Sequence, residues 1–183
     1  MANYEHIYDL EKTEAEGGLR YFFISQGERD VIKAIQYSYI QDFEGKQVYN
    51  LGFGDYDMVA DELNDLVNSN NGDHYKIFNT VLSTIRTFFE TYRHAILMVH
   101  GSDSTPDFLN ACKKNCTKNC ENECKNFKRR INLYRRYVNN NYNTLFDDYQ
   151  FIGGTLNEEG KTILEDYVLH KGYDSVLLYR KNK

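Results

Sequence analysis

Cys112, Cys116, Cys120 and Cys124 are the four cysteines of the chain, and they recur at a strict four-residue interval in CKKNCTKNCENEC, just ahead of the basic run Lys128-Arg129-Arg130. Thiolates are soft ligands that zinc binds four at a time at about 2.3 Å, and neighbouring thiols also oxidise to disulfides. On a helix each step of four residues returns a side chain to nearly the same face, so adjacent thiols stand one turn apart. The outer two, Cys112 and Cys124, would lie about 18 Å apart on a straight helix at ~1.5 Å per residue. One tetrathiolate zinc site therefore requires either a bend near Asn119-Cys120 or a second chain contributing its own CxxxC pair, which would make a homodimer. Without either, the ladder works as two half-sites, Cys112 with Cys116 and Cys120 with Cys124. Zinc binding, redox chemistry and unliganded thiols all remain open on spacing alone.

The ladder sits in a cationic stretch. Residues 112–137 hold nine Lys/Arg against Glu121 and Glu123, a local balance of +7 in a chain whose net charge is −5, so the remainder carries −12. A basic patch on an acidic body attracts an anionic macromolecule, either nucleic acid or an acidic protein surface. Arg129, Arg130, Arg135 and Arg136 are the anion-binding candidates, because guanidinium groups grip phosphate or carboxylate in a bidentate way.

A second constellation offers an enzymatic alternative. His100, Gly101 and Ser102 follow a short apolar run, and a helix bearing Arg130 and Tyr134 comes later. A strand-end glycine exposes backbone N–H groups, and with Arg130 it would make an anion site for an enzyme acting on nucleic acid or nucleotides. His100, Ser102, Arg130 and Tyr134 are its catalytic candidates. Asp55 and Asp57, with Asp61, Glu62 and Asp65 beyond, are a weaker oxygen-ligand set for a divalent ion.

The elements that must position these groups are legible in the periodicity. Residues 19–26 and 29–40 are rich in aromatic and β-branched side chains around Gly27 and predict a β-hairpin, with 46–53 as a third strand. Asn70-Asn71-Gly72-Asp73 is concentrated turn chemistry, and Asp73 is placed to cap a helix over 74–92. In it Ile77, Val81, Ile85 and Phe88 recur at helical spacing and are expected against the sheet. Ala95–His100 predicts a short buried strand, and Pro106 opens the cysteine segment. Phe127, Ile131, Tyr134 and Val138 predict a second helix, one that can continue the ladder helix. Residues 149–153 and 173–180 predict closing strands, with a short helical turn expected somewhere in 157–169. This order implies an α+β fold, a mainly antiparallel sheet with one helical layer, in a single domain spanning 1–183 with an inserted basic Cys-rich segment at 106–126.

Composition agrees with a packed core. Hydrophobic residues make up 41% and aromatics 15%, with 16 Tyr, 11 Phe and no Trp, which excludes a disordered chain. The longest apolar run, Ala95–Val99, is far short of the ~20 residues of a membrane span, and the polar start is no secretory signal. The expected setting is the cytoplasm, where thiols stay reduced and metal or redox roles are favoured over structural disulfides.

Taken together, RYFFISQGERDVIKAIQYSYI, Gly54-Asp55-Tyr56-Asp57, Asn70-Asn71-Gly72-Asp73, Gly101-Ser102 and Arg130 with Leu133-Tyr134 resemble a family of small uncharacterised bacterial proteins with a domain of unknown function. The resemblance implies a bacterial or phage origin and a fold, but no activity. Against the family pattern the cysteine ladder reads as an insertion between Gly101-Ser102 and Arg130.

Overall fold

The computed structural model describes residues 6–15, 18–64, 71–115, 120 and 124–181. The chain divides into two compact units, Met1–Ala95 and Ile96–Lys183. Within each unit the strands pair antiparallel, in keeping with the α+β class read from the sequence.

The first unit is a meander of β1 (Glu11–Ala15), β2 (Gly18–Ser25), β3 (Val31–Phe43), β4 (Lys46–Asp57) and β5 (Glu62–Asn64), joined by helix α1 (His74–Thr91). Along β2 the alternation is clean: Leu19, Tyr21, Phe23 and Ser25 point inward, the period-two signature of a half-buried strand. Glu44 and Gly45 form the two-residue turn between β3 and β4, both at positive φ (50° and 74°), the geometry that matches the twist of a hairpin.

Helix α1 occupies the expected residues, but its buried stripe is rotated. Thr80, Val81, Thr84, Phe88 and Phe89 are buried, while Ile77 and Ile85 are only half-buried. Two threonines enter the core because their hydroxyls are satisfied there. Thr80 Oγ1 donates to the Lys76 carbonyl at 2.8 Å and accepts the Tyr8 amide at 2.9 Å. Thr84 Oγ1 donates to the Val81 carbonyl at 2.7 Å, so the Tyr37 hydroxyl, also at 2.7 Å, donates to it. Above them Tyr37 stacks on Phe88 with centroids 4.5 Å apart, and Tyr49 meets Phe88 edge-on at 5.4 Å.

Asp73 is the N-cap residue of α1 by position, yet its side chain makes no capping bond. Its Oδ2 instead accepts the Tyr8 and Ser25 hydroxyls, each at 2.7 Å, tying the start of the chain and the end of β2 to the first turn of the helix. Asn71 completes the clasp by donating to the Ser25 hydroxyl at 3.0 Å and the Arg29 carbonyl at 2.9 Å. Gly27 is required beside it, since a Cβ there would lie 2.3 Å from the Asn71 side chain.

The second unit has strand order β6 (Ile96–His100), β9 (Ser175–Arg180), β7 (Tyr149–Leu156) and β8 (Thr162–Asp166), with α2 (Pro106–Asn115) and α3 (Arg129–Phe146). Strand β8 stands where a helical turn was expected: Asn157 and Gly160, the latter at φ 75°, close a hairpin that sends Thr162–Asp166 back along β7. The two helices are separate. Lys128 adopts the left-handed conformation at φ 56°, leaving Phe127 in the preceding turn rather than in α3. Helix α3 lies against β6, β7 and β9 and buries Ile131 and Val138.

Replacing Phe88 by Ala should lower stability by about 3–5 kcal/mol, read as a reduced urea midpoint, because the ring fills the centre of the first unit's core.

A pH dependence is also expected. Burial alone would raise the Asp73 pKa, but hydrogen bonds from Tyr8 and Ser25, its own amide and the Lys33 charge outweigh it and hold the carboxyl below its ordinary value. A depressed folded-state pKa contributes stability that is fully present above the unfolded value near ~3.9 and is lost as pH falls through the folded one. The urea midpoint should therefore drop below about pH 4, and it should drop less for Asp73→Asn than for the wild type.

Candidate anion-binding site

The second unit is organised around a carboxylate that the spacing arguments passed over. Asp103 lies in a 3-10 turn, Ser102–Ser104, directly after β6, and is 5% exposed. Its carbonyl accepts the Lys128 amide at 3.1 Å and its Oδ2 accepts the Arg130 amide at 2.9 Å. The first amides of α3 would otherwise lack acceptors, and Lys128 offers no capping side chain. Asp103 therefore caps α3 from 27 residues away in sequence, with its negative charge at the positive end of the helix dipole. Gly101 permits this approach, since a Cβ there would sit 2.5 Å from Asp103 Oδ1.

The cap brings together two of the sequence-predicted catalytic candidates. Arg130 Nη1 donates to the Ser102 hydroxyl at 2.8 Å. That contact gives Ser102 a cation as its donor, the reverse of the general base a serine nucleophile needs. The phenol of the half-buried Tyr134 is pushed up to about 12, chiefly by burial, with the Arg130 charge opposing and the Asp103 charge adding to the shift. Tyr134 is thus a neutral phenol at physiological pH. His100 is exposed at the end of β6, paired in register with Ser175.

The arginine patch divides. Arg130 turns to Ser102, Arg129 is exposed, and Lys128 is committed to Asp174 Oδ1 at 2.7 Å. Arg135 and Arg136 instead share a cavity of about 330 Å³ with Asn132, Asn139, Asn140 and His170. Five of these six lie on α3 at positions i, i+3, i+4, i+7 and i+8, which is one helix face. His170 joins them from the turn after β8, held in the left-handed region at φ 66°.

Donors dominate the cavity. Arg135 Nη1 donates to Asn132 Oδ1 at 3.0 Å, while its buried Nε has no hydrogen-bond partner among the described residues. Asn139 Oδ1 accepts the Tyr167 hydroxyl at 3.0 Å and the His170 amide at 3.3 Å, an arrangement that fixes the amide orientation and leaves Nδ2 as donor. None of the six residues is acidic. Sequence reasoning found Arg135 and Arg136 but missed the three asparagines and His170; the signal was there, in the polar stripe at helical spacing.

Of the described cysteines, Cys112 and Cys124 come together, while the expected bend near Asn119-Cys120 falls largely outside the described residues. Helix α2 stops at Asn115, and Cys124 Sγ comes within 3.4 Å of Cys112 Sγ. These two sulfurs, expected to lie far apart on a straight helix, are neighbours. Cys120 Sγ accepts the Lys125 amide at 3.3 Å. Cys116 lies outside the described residues, so the two-half-site pairing is not described; among the described residues no group of three metal-binding side chains forms a metal site. The acidic cluster disperses as well: Asp55 pairs with Lys33, Asp57 accepts the Val59 and Ala60 amides at 2.8 and 3.0 Å, and Asp61 accepts from Tyr56 and Arg20.

An antiparallel α+β protein with a cationic cavity on one helix is the class this geometry defines. Residues 4–109 match the model of a family of unknown function, DUF6934, and the chain belongs to that family. No curated protein and no solved structure matches it. The family match covers Asp73, Gly101 and Asp103 and ends three residues before Cys112. No helix among the described residues is long and apolar enough to cross a membrane.

If Asp103 caps α3, Asp103→Ala should cost about 1–2 kcal/mol, within the range for lost N-caps. Amide exchange at Arg130 should accelerate in the variant, and an unchanged exchange rate would contradict the capping role.

Proposed function

We propose that this is a small cytoplasmic interaction protein, of bacterial or phage origin, that binds nucleic acid through the cationic face of α3. The observation that carries the reading is the convergence of Arg135, Arg136, Asn132, Asn139, Asn140 and His170 on one cavity with no acidic residue. Guanidinium groups supply the phosphate contacts, and the buried Arg135 Nε has no hydrogen-bond acceptor among the described residues. Carboxamides add selectivity, because they hydrogen-bond base edges in a way a bare charge does not. Exposed Lys113, Lys114, Lys125 and Arg129 extend the positive field beyond the cavity and favour encounter with a polyanion.

The enzymatic alternative, centred on Gly101-Ser102 and Arg130, is less well supported. Arg130 is engaged with Ser102, Asp103 is engaged as a helix cap, and Tyr134 is a neutral phenol.

Fluorescence anisotropy with a labelled single-stranded oligonucleotide tests the proposal. Affinity should fall steeply with salt through counterion release, and Arg135→Glu with Arg136→Glu should weaken it at least about ten-fold and reduce the salt slope by about two. Absence of binding at low salt, or equal affinity for a polyglutamate peptide, would refute a nucleic-acid role.

A further inference from the structure

We propose that Cys112 and Cys124 form a redox-active dithiol that a low-molecular-weight disulfide converts reversibly into an intramolecular disulfide. Two features of the fold bring the pair together: α2 ends at Asn115, and residues 124–128 lead back toward the start of α3. The sulfurs sit 3.4 Å apart and both are half-buried, within reach of a small oxidant. A disulfide bond is about 2.05 Å long, so the sulfurs need to approach by only about 1.4 Å.

The two thiols sit in different surroundings. Cys112 Sγ accepts from Cys124 Sγ at 3.4 Å and from Asn126 Nδ2 at 3.4 Å. These contacts hold Cys112 Sγ beside Cys124 Sγ. In the proposal Cys112 is the attacking sulfur and Cys124 the resolving one.

The reaction balances with the disulfide as oxidant. The Cys112 thiolate attacks one sulfur of oxidised glutathione, forming a mixed disulfide and expelling one glutathione thiolate, which takes up a proton. The Cys124 thiol, losing its proton, then attacks Cys112 Sγ and expels the second glutathione thiolate. Two cysteines are oxidised by two electrons, one glutathione disulfide is reduced to two thiols, and excess thiol reverses both steps. The product ties the last turn of α2 to the segment that precedes α3.

The test is to equilibrate the full chain in glutathione buffers of graded redox potential, quench by alkylation and map the cross-linked peptides. Two of the four thiols should be lost together, with Cys112–Cys124 the predominant linkage, and dithiothreitol should restore them. Cys116→Ser with Cys120→Ser should leave that linkage intact. Cys124→Ser should instead accumulate glutathione on Cys112, a readout that a merely proximal pair would not give. Linkages mainly between Cys112 and Cys116 or between Cys120 and Cys124 would overturn the proposal. So would isolated protein that carries one zinc ion per chain and whose thiols resist oxidised glutathione until a chelator is added.

Discussion

The hydrogen bond from the Arg130 amide to Asp103 Oδ2 fixes where α3 begins, and with it nearly everything the second unit presents to solvent. A one-residue slip of the α3 sequence against that fixed cap would turn its side chains by about 100°. Arg135, Arg136 and the asparagines would then leave the cavity they share with His170. The cap is also an electrostatic device: it places a buried carboxylate where the backbone is most positive, in a segment otherwise crowded with cations. Lys128 supports it from the other side, since its left-handed backbone breaks the chain direction while its ammonium group is anchored on Asp174.

The first unit solves a different problem. Its core holds polar groups at its centre, and the two threonines there are matched. Thr80 and Thr84 hydroxyls bond back to the helix that carries them and also reach Tyr8 and Tyr37. Buried hydroxyls cost little when paired and a great deal when orphaned, so these bonds fix the rotation of α1 more tightly than its apolar residues alone would. Many phenols and no indole suit such a core, because a tyrosine such as Tyr37 brings a ring for stacking and a hydroxyl to hold register.

Period-two alternation and helical spacing made β2, β3, β4, α1 and β6 legible, since those signals depend on local sequence and on one buried face. The offset of α1 was not legible: choosing between a threonine and an isoleucine for the core depends on partners some 40 to 70 residues away. Strand β8 was hidden for a similar reason. Its TILED sequence has exposed charges and an exposed isoleucine, and it forms a strand because the turn at Asn157–Gly160 returns it to β7. At the candidate site, charge counting located Arg135 and Arg136 but merged them with Arg130, whose hydrogen bond to Ser102 gives it a different task. The spacing of the thiol ladder left a straight helix and a bend both open, and the approach of its two outer sulfurs beyond the end of α2 at Asn115 is a tertiary feature that spacing does not encode.

The strands at the two ends of the strand order, β1 and β8, have a consequence for life at high concentration. β1, EKTEA, is five residues long with exposed Glu11, Lys12 and Glu14, and β8, also five residues, shows Glu165 and Asp166 to solvent with Glu165 paired to Lys171. An open strand offers unpaired amides and carbonyls to any other extended chain. Short length and dense charge make that offer unattractive, since an incoming strand would have to bury those ionic groups. The margins therefore act as barriers to self-association by strand addition, so that a protein rich in β-structure and aromatic rings can keep its strands to itself.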